Sequence, residues 1–212
     1  MLLKINLYSK PKQKLLRNFF EEAGGSFVKF GQLLALRVDF IPNEYSLELL
    51  DLFDNMKPFS FAHVKEIFLQ ELGASPEKVF KDFQKQPFAS ASFGQVHGAK
   101  LENDEIVVVK IMRPGIEEDV KIDFLFIGFL AFLADIFFKI EAMPWKEFAK
   151  EFKEWTKNEL DYYIEAENAE KLYKNLKDNK QIVIPKTYRH LSTKRILVQE
   201  YIEGIQIGRA HV

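Results

Sequence analysis

Residues 88–113, FASASFGQVHGAKLENDEIVVVKIMR, predict a β-hairpin from which the fold class follows. Residues 88–101 and 106–113 are two β-type runs, and the polar sequence ENDE at residues 102–105 joins them as a turn. The Pro-Gly pair directly after the second run ends it. The hairpin therefore predicts an antiparallel sheet in the middle of the chain.

Helical patterns lie upstream of the hairpin. Ser26, Ser60 and Ser75 are suited to cap helix N-termini, because a serine hydroxyl accepts a hydrogen bond from a backbone N–H of the first turn. Gly73 suits the left-handed residue that ends many helices. These signals predict helices over residues 26–37, 43–53, 60–73 and 77–83.

Helices and strands also alternate downstream of the hairpin. A long apolar helix is predicted to extend to about residue 142, and one continuous amphipathic helix to cover residues 144–177. Residues 181–185 and 195–201 are two further β-type runs. Strands with helices inserted between them predict an α+β fold and not a parallel βαβ sheet.

The most apolar segment is FLFIGFLAFLADIFF at residues 124–138. Its uninterrupted apolar part, residues 124–134, is much shorter than the roughly 20 residues that span a bilayer, and Asp135 follows it. The segment therefore predicts a helix that is buried against other helices or lies at a membrane surface.

Composition excludes several classes of function. The net charge of this 212-residue chain is −1, from 30 basic and 31 acidic residues, which argues against a nucleic-acid partner. The chain has no cysteine, and its four histidines lack the spacing of metal ligands, so no metal site is predicted. A cytoplasmic location is expected, with a peripheral membrane location as the alternative.

Two neighbouring features suit phosphate binding. Lys110 ends the apolar run IVVV, where its ammonium could contact a phosphate; the alternative is a surface lysine on an edge strand. The small residues Ala89, Ser90, Ala91 and Ser92 would let backbone N–H groups approach phosphate oxygens. The alternative for this loop is an ordinary tight turn.

Three acidic residues lie in the predicted helix 144–177. In a continuous helix Asp161 and Glu165 share one face, whereas Glu159 points nearly opposite. A carboxylate on this helix could orient the ammonium of Lys110, and the alternative is a solvated acidic face.

Two further motifs lie toward the two ends of the sequence. Lys29, Gly31 and Gln32 form the sequence KFGQ in a predicted helix, where glycine indicates close backbone approach or a local imperfection of packing. Glu200 and Ile202 follow the last β-type run, in the sequence EYIEG, and their alternative is a strand that enters a turn.

Together these motifs resemble the UbiB family of atypical kinase-like proteins. The resemblance rests on KFGQ, ASASFGQVH, VVVKIMRPGI, NELDYYIEAENA and LVQEYIEG, in this order, from about residue 24 to 204. It implies a protein-kinase-like N-lobe, a small antiparallel sheet with inserted helices, preceded by a helical extension. The implied domains are an extension at residues 1–87 and an N-lobe at residues 88–212.

The resemblance also implies roles for single residues. Lys110 would contact nucleotide phosphates with Glu165 as its helix partner, and the loop from Ala89 to Ser92 would cover the nucleotide. Gln199 would be the gatekeeper, with main-chain adenine contacts from Glu200 and Ile202. The regulatory motifs would be formed by Lys29, Gly31, Gln32, Glu159 and Asp161.

The expected function is that of a truncated atypical kinase or ATPase. The chain ends at Val212 before an H-R-D-like loop or a D-F-G motif, so the C-lobe is expected to be missing and no catalytic residue is assigned. The expected cofactor is ATP or ADP, with magnesium only when a separately encoded C-lobe is present. The resemblance implies a link to isoprenoid quinone or lipid metabolism. The alternatives are a non-catalytic module that binds a lipid, a membrane surface or a partner protein, and a decayed fragment.

Overall fold

The computed structural model describes residues 11–38, 41–53, 57–137 and 145–204. The helices are α1 (Lys12–Ala23), α2 (Gly25–Ala35), α3 (Asn43–Leu49), α4 (Phe61–Leu72), α5 (Pro76–Val79), α6 (Ile116–Phe137), α7 (Trp145–Glu159) and α8 (Tyr162–Leu176). The strands are β1 (Asp82–Phe83), β2 (Ala89–Ser90), β3 (Gly94–Lys100), β4 (Ile106–Met112) and β5 (Ile196–Glu200). Short 3₁₀ helices cover Leu50–Phe53 and Arg189–Leu191.

An antiparallel sheet of strand order β1-β3-β4-β5 is built on the predicted hairpin, and β2 pairs with β3. Gly94 lies opposite Met112, and Lys100 lies opposite Ile106 across the turn. Strand β5 pairs with the other side of β4, with Lys110 opposite Leu197. Strand β4 is therefore an internal strand. The predicted α+β class with a small antiparallel sheet is confirmed.

The described residues form two compact units. The helical unit lies within Met1–Lys57, Ser90–Phe93 and Gly115–Lys157. The sheet unit lies within Pro58–Ala89, Gly94–Pro114 and Asn158–Val212. This grouping differs from a division between residues 87 and 88, because α4 and β1 contribute apolar side chains to the core beneath the sheet.

The core of the sheet unit explains that grouping. Phe68 on α4 is fully buried and makes edge-to-face contacts with Phe80 and Phe83. Alternate residues of β4 point into the same core, as the period of 2 requires. The β4 side chains in this core are those of Val107, Val109 and Ile111.

The helical unit has its own core, to which α1, α2, α3, α6 and α7 contribute. Phe20, Phe27 and Phe152 are among its buried aromatic residues. Among the described residues, no helix combines the length and the apolar character that crossing a bilayer requires.

Predicted helix caps at two sites are confirmed. The Ser60 side chain accepts a hydrogen bond from the N–H of His63 at the start of α4. Gly73 ends this helix in the left-handed conformation with φ 70°.

The predicted cap at Ser26 is wrong, because Gly24 precedes α2 and Ser26 lies inside it. The N–H of Ser26 donates instead to Asp123 of α6, at 3.0 Å, so a distant carboxylate provides the cap.

One predicted helix and one predicted strand are also wrong. The helix predicted over residues 77–83 is the single turn α5, after which Asp82 and Phe83 pair with β3 as strand β1. Residues 181–185 do not form a strand, although Thr187 makes an isolated bridge to Gln199. At Asp82 and Phe83, pairing with the established sheet decides the conformation.

Candidate functional site

Lys110 and Glu165 form the centre of the candidate site. The Nζ atom of Lys110 on β4 donates to Oε2 of Glu165 on α8 at 2.7 Å, across 55 positions of sequence. Their side chains are 35% and 42% exposed, so solvent reaches both groups. The ion pair is therefore formed as predicted, and Lys110 does not lie on an edge strand.

The helix that carries Glu165 begins at a cap which the sequence analysis did not recognise. The single helix predicted over residues 144–177 is wrong, because α7 ends at Glu159 and α8 begins at Tyr162. Asp161 lies between them with φ −136° and ψ 98°, and its carboxylate accepts a hydrogen bond from the N–H of Tyr163 at 2.9 Å. Asp161 is therefore the N-cap of α8 and does not share a helical face with Glu165.

Tyr162 completes the surroundings of Lys110 and was missed by the sequence analysis. Its side chain is buried, and the Nζ atom of Lys110 lies 4.7 Å from its ring centroid. Burial raises the pKa of the Tyr162 hydroxyl, and the negative charges of Glu165 and Glu159 raise it further. The spacing of three residues between Tyr162 and Glu165, which places both on one helix face, was the available signal.

The small-residue loop at residues 89–92 belongs partly to the sheet unit and partly to the helical unit. Ala89 and Ser90 form β2, Ala91 is exposed, and Ser92 is buried. Ala89 belongs to the sheet unit, whereas the segment Ser90–Phe93 belongs to the helical unit. The role of this loop as a nucleotide cover stays a prediction.

The predicted hinge residues lie at the end of β5. The N–H of Glu200 donates to the carbonyl oxygen of Lys186 at 2.9 Å, so this donor is engaged within the sheet unit. The side-chain amide of Gln199 donates to Oγ1 of Thr187 at 3.3 Å. Ile202 lies beyond the strand and is exposed. Adenine contacts from these residues stay a prediction.

The KFGQ residues have structural partners inside the helical unit. A Cβ atom added at Gly31 would lie 2.5 Å from Cδ1 of Leu52 and 2.8 Å from Cδ2 of Phe20, so only glycine fits there without a shift. The amide of Gln32 donates to the carbonyl oxygen of Leu52 at 2.9 Å. Lys29 on the same helix is half-buried. The regulatory role of these residues, and that of Glu159 and Asp161, stays a prediction.

No metal centre is evident in the part of the chain that the structure describes. Groups of three or more histidine, aspartate or glutamate side chains suited to hold a metal ion do not occur among these residues.

The fold and the ion pair define a kinase-like N-lobe, in which a lysine of the sheet pairs with a glutamate of a helix. Residues 51–211 match the ABC1 atypical kinase-like domain, and the chain belongs to this family.

Curated relatives confirm the resemblance to UbiB proteins. The chain is 34% identical over 205 residues to a "Probable protein kinase UbiB" of Pseudomonas paraeruginosa, covering 93% of this chain and 38% of that protein. It is 35% identical over 209 residues to the chloroplastic "Protein ACTIVITY OF BC1 COMPLEX KINASE 8" of Arabidopsis thaliana, covering 96% of this chain and 27% of that protein. A Clostridium pasteurianum protein, described only as uncharacterized and in the hydrogenase 1 5' region, is 38% identical over 199 residues, covering 94% of this chain and 38% of that protein.

A solved structure shares the fold. The structure of Rv3197 from Mycobacterium tuberculosis in complex with erythromycin superposes with a TM-score of 0.61 at 25% identity, covering 93% of this chain and 53% of that chain. The chain thus spans about half of that solved chain, and between 27% and 38% of the length of the three curated relatives.

Proposed function

We propose that this chain provides the nucleotide-binding lobe of an atypical kinase or ATPase of the UbiB family, in which Lys110 contacts the phosphates of ATP or ADP. The observation that carries this proposal is the 2.7 Å ion pair between Lys110 and Glu165, formed between an internal strand and a helix. In protein kinases the equivalent pair places the lysine against the α- and β-phosphates.

The exposure of the pair suits a second, anionic ligand. A lysine ammonium has three N–H donors, and Glu165 engages one of them at 2.7 Å. Because the side chain of Lys110 is 35% exposed, a phosphate oxygen can approach the remaining donors while the glutamate holds the ammonium in place.

Phosphoryl transfer requires groups beyond those assigned in this chain. The catalytic base and the metal ligands of the kinase template follow the hinge, and in the complete enzyme we expect the second lobe to hold them together with magnesium. By its likeness to UbiB proteins we also expect the complete enzyme to serve isoprenoid quinone or lipid metabolism.

Fluorescence anisotropy with N-methylanthraniloyl ATP or ADP tests the proposal. The titrations use the chain alone and the chain mixed with the remaining part of a UbiB relative, each with and without magnesium. Because a hydrogen bond to a charged group contributes about 1.5–3 kcal/mol, Lys110→Met should weaken binding roughly 10- to 100-fold. Glu165→Gln should weaken binding less, because the ammonium remains.

Lys81→Met is the matched control for this experiment. Lys81 also forms a 2.7 Å ion pair, with Asp104, but this pair is exposed and its partner lies in the hairpin turn. Its loss should leave nucleotide affinity unchanged. Equal affinities of the Lys110 and Lys81 variants, or no saturable binding by the wild-type chain in any mixture, would refute the proposal.

The apolar surface of α6 favours a second candidate function, binding to a membrane surface. Large exposed apolar patches on folded proteins mark interaction sites, and an interfacial helix buries its apolar face at the lipid headgroups. The exposed apolar side chains of α6 are Ile122, Leu125, Phe126, Phe129, Leu130, Phe132 and Ile136.

Flotation with phosphatidylcholine vesicles, with and without phosphatidylglycerol, tests this second candidate. Leu125→Ser should reduce the floated fraction, because Leu125 is 77% exposed. Leu69→Ser, at a 55% exposed position on α4, should leave that fraction unchanged. Recovery of the wild-type chain in the bottom fraction with both vesicle types would exclude membrane binding.

A further inference from the structure

We propose that Tyr162 is a positioning residue for Lys110, and that the electron-rich face of its ring, not its hydroxyl, performs this role. The inference deepens the proposed function and depends on it for its effect on nucleotide affinity. The position of Lys110 at the face of the Tyr162 ring can also be tested without nucleotide.

One turn of α8 holds the ammonium at two points. Glu165 accepts a hydrogen bond from Nζ of Lys110 at 2.7 Å, and the ring centroid of Tyr162 lies 4.7 Å from the same atom. A cation within about 6 Å of an aromatic centroid is attracted by the negative face of the ring. Because Tyr162 and Glu165 are three residues apart on one helix, both contacts are set by the same rigid turn.

The ring itself is held firmly. Tyr162 is 1% exposed, and its N–H donates to the carbonyl oxygen of Lys194 at 3.0 Å, just before β5. The preceding residue, Asp161, caps the helix. A ring fixed in this way can hold the ammonium of the flexible Lys110 side chain in one position. Without the ring the ammonium could move toward bulk solvent.

The hydroxyl of Tyr162 differs from the ring in its contacts. Within the described parts of the chain it is buried without a hydrogen-bond partner. It lies beside Gly94, where an added Cβ atom would be only 2.7 Å from the oxygen. A buried unpaired hydroxyl destabilises a fold, so the reason for an aromatic residue at this position lies in the ring.

A second lysine–tyrosine contact in the sheet unit provides the matched control. Nζ of Lys186 also lies 4.7 Å from the ring centroid of Tyr188. The hydroxyl of Tyr188 is engaged, since it donates to Oε2 of Glu105 at 2.9 Å. Lys186 has no assigned contact with nucleotide, so the same changes at Tyr188 should affect stability and leave nucleotide affinity unchanged.

The first measurement is the proton chemical shift of the Lys110 ε-methylene, observed in a chain labelled with ¹³C at lysine Cε and assigned with Lys110→Arg. A methylene near the face of a ring resonates upfield of its random-coil position. We expect this shift in the wild-type chain and in Tyr162→Phe, and its loss in Tyr162→Leu with the fold retained by circular dichroism. A random-coil shift in the wild-type chain would overturn the proposal whatever the nucleotide result.

The second measurement compares nucleotide affinities, and it distinguishes the effect of the negative ring face from the effect of the shape of the ring. Tyr162→Phe should keep nucleotide affinity within about two-fold and raise the melting temperature, because it removes only the unpaired hydroxyl. Tyr162→3,4,5-trifluorophenylalanine keeps a ring of nearly the same shape with a depleted π face, and should weaken nucleotide binding about 3- to 10-fold relative to Tyr162→Phe. The same pair of substitutions at Tyr188 should give equal affinities.

The outcomes distinguish this inference from the proposed function. Equal affinities for the phenylalanine and trifluorophenylalanine variants at position 162 would overturn the role of the ring in binding. A large loss with Tyr162→Phe would show that the hydroxyl is the active group and would also overturn it. If no variant binds nucleotide, the proposed function fails, and the Lys110 shift alone decides whether Tyr162 positions the ammonium.

Discussion

The sheet unit and the helical unit differ in the solvent exposure of their large apolar side chains. In the sheet unit Phe68, Phe80 and Phe83 are at most 7% exposed and contact one another. In the helical unit α6 leaves Phe129 and Leu125 55% and 77% exposed. The three rings of the sheet unit are therefore enclosed in its core, whereas α6 of the helical unit presents an apolar surface suited to an additional partner.

Truncation of one phenylalanine in each unit should give the largest contrast. Phe68→Ala should reduce the free energy of unfolding by about 3–5 kcal/mol, because it leaves a cavity in a closed core. Phe129→Ala should change it by less than about 0.5 kcal/mol, because the side chain is already exposed. Urea denaturation followed by circular dichroism provides both values, and similar losses at the two positions would remove the distinction between the units.

A pair of glycines sharpens the comparison within the helical unit. Gly31→Ala should destabilise the unit by about 1–3 kcal/mol, because the new Cβ atom would press against Phe20 and Leu52. Gly128→Ala, in α6, meets no atom within 4 Å and should stabilise the unit by up to about 1 kcal/mol through helix propensity.

Tryptophan fluorescence is a suitable probe for the glycine pair, because Trp145 and Trp155, the two tryptophans of the chain, both lie in the helical unit. Opposite signs of the two changes are expected. A stabilising Gly31→Ala would show that the packing of α2 against Phe20 and Leu52 is loose.

The smallest expected effect concerns a buried polar network in the sheet unit. Nδ1 of the fully buried His97 lies 2.8 Å from the carbonyl oxygen of Gln84, and Nε2 lies 3.0 Å from the amide nitrogen of Gln95. Because a carbonyl only accepts, Nδ1 carries the proton, and neutral Nε2 accepts from Gln95. Burial lowers the pKa of His97, although the hydrogen bond to Gln84 opposes this.

The sign of the pH effect follows from that lowered pKa. As the pH falls below about 6.5, the unfolded chain takes up a proton at His97 while the folded chain does not, so stability decreases. Above about pH 7 both states are neutral there and the contribution vanishes. The slope should not exceed about 1.4 kcal/mol per pH unit.

Urea denaturation between pH 5 and 8 checks this slope, with His97→Gln as the control that removes it. An identical pH dependence in the two proteins would show that His97 binds protons equally in the folded and unfolded states. The helical unit provides the contrast, since its buried polar side chains among the described residues, Ser26, Ser46, Ser92 and Thr156, carry hydroxyl groups that do not ionise in this pH range.

Local patterns predicted much of the sheet unit correctly. The β-type run that begins with IVVV at residue 106 and the polar turn at 102–105 predicted the hairpin, because both signals depend on residues adjacent in sequence. Ser60 and Gly73 predicted both ends of α4, since capping depends on residues adjacent in sequence. The pairing of Lys110 with Glu165 was predicted only through the family resemblance, because 55 positions separate them.

Two of the errors have a common physical cause, contacts with residues distant in sequence. Tertiary contacts replaced the predicted cap at Ser26 by Asp123, and strand pairing converted Asp82 and Phe83 into β1. The break between α7 and α8 was missed because Asp161, an N-cap, was placed inside an amphipathic helical pattern.

Local sequence was sufficient for the hairpin, for α4 between Ser60 and Gly73, and for the residue types of the candidate site, because these depend on neighbours within a few positions. Only the tertiary structure placed the ring of Tyr162 against the ammonium of Lys110 and showed that Gly31 lies against Phe20. These contacts join side chains from different elements. They are decided by the packing of a whole unit, which no local pattern contains.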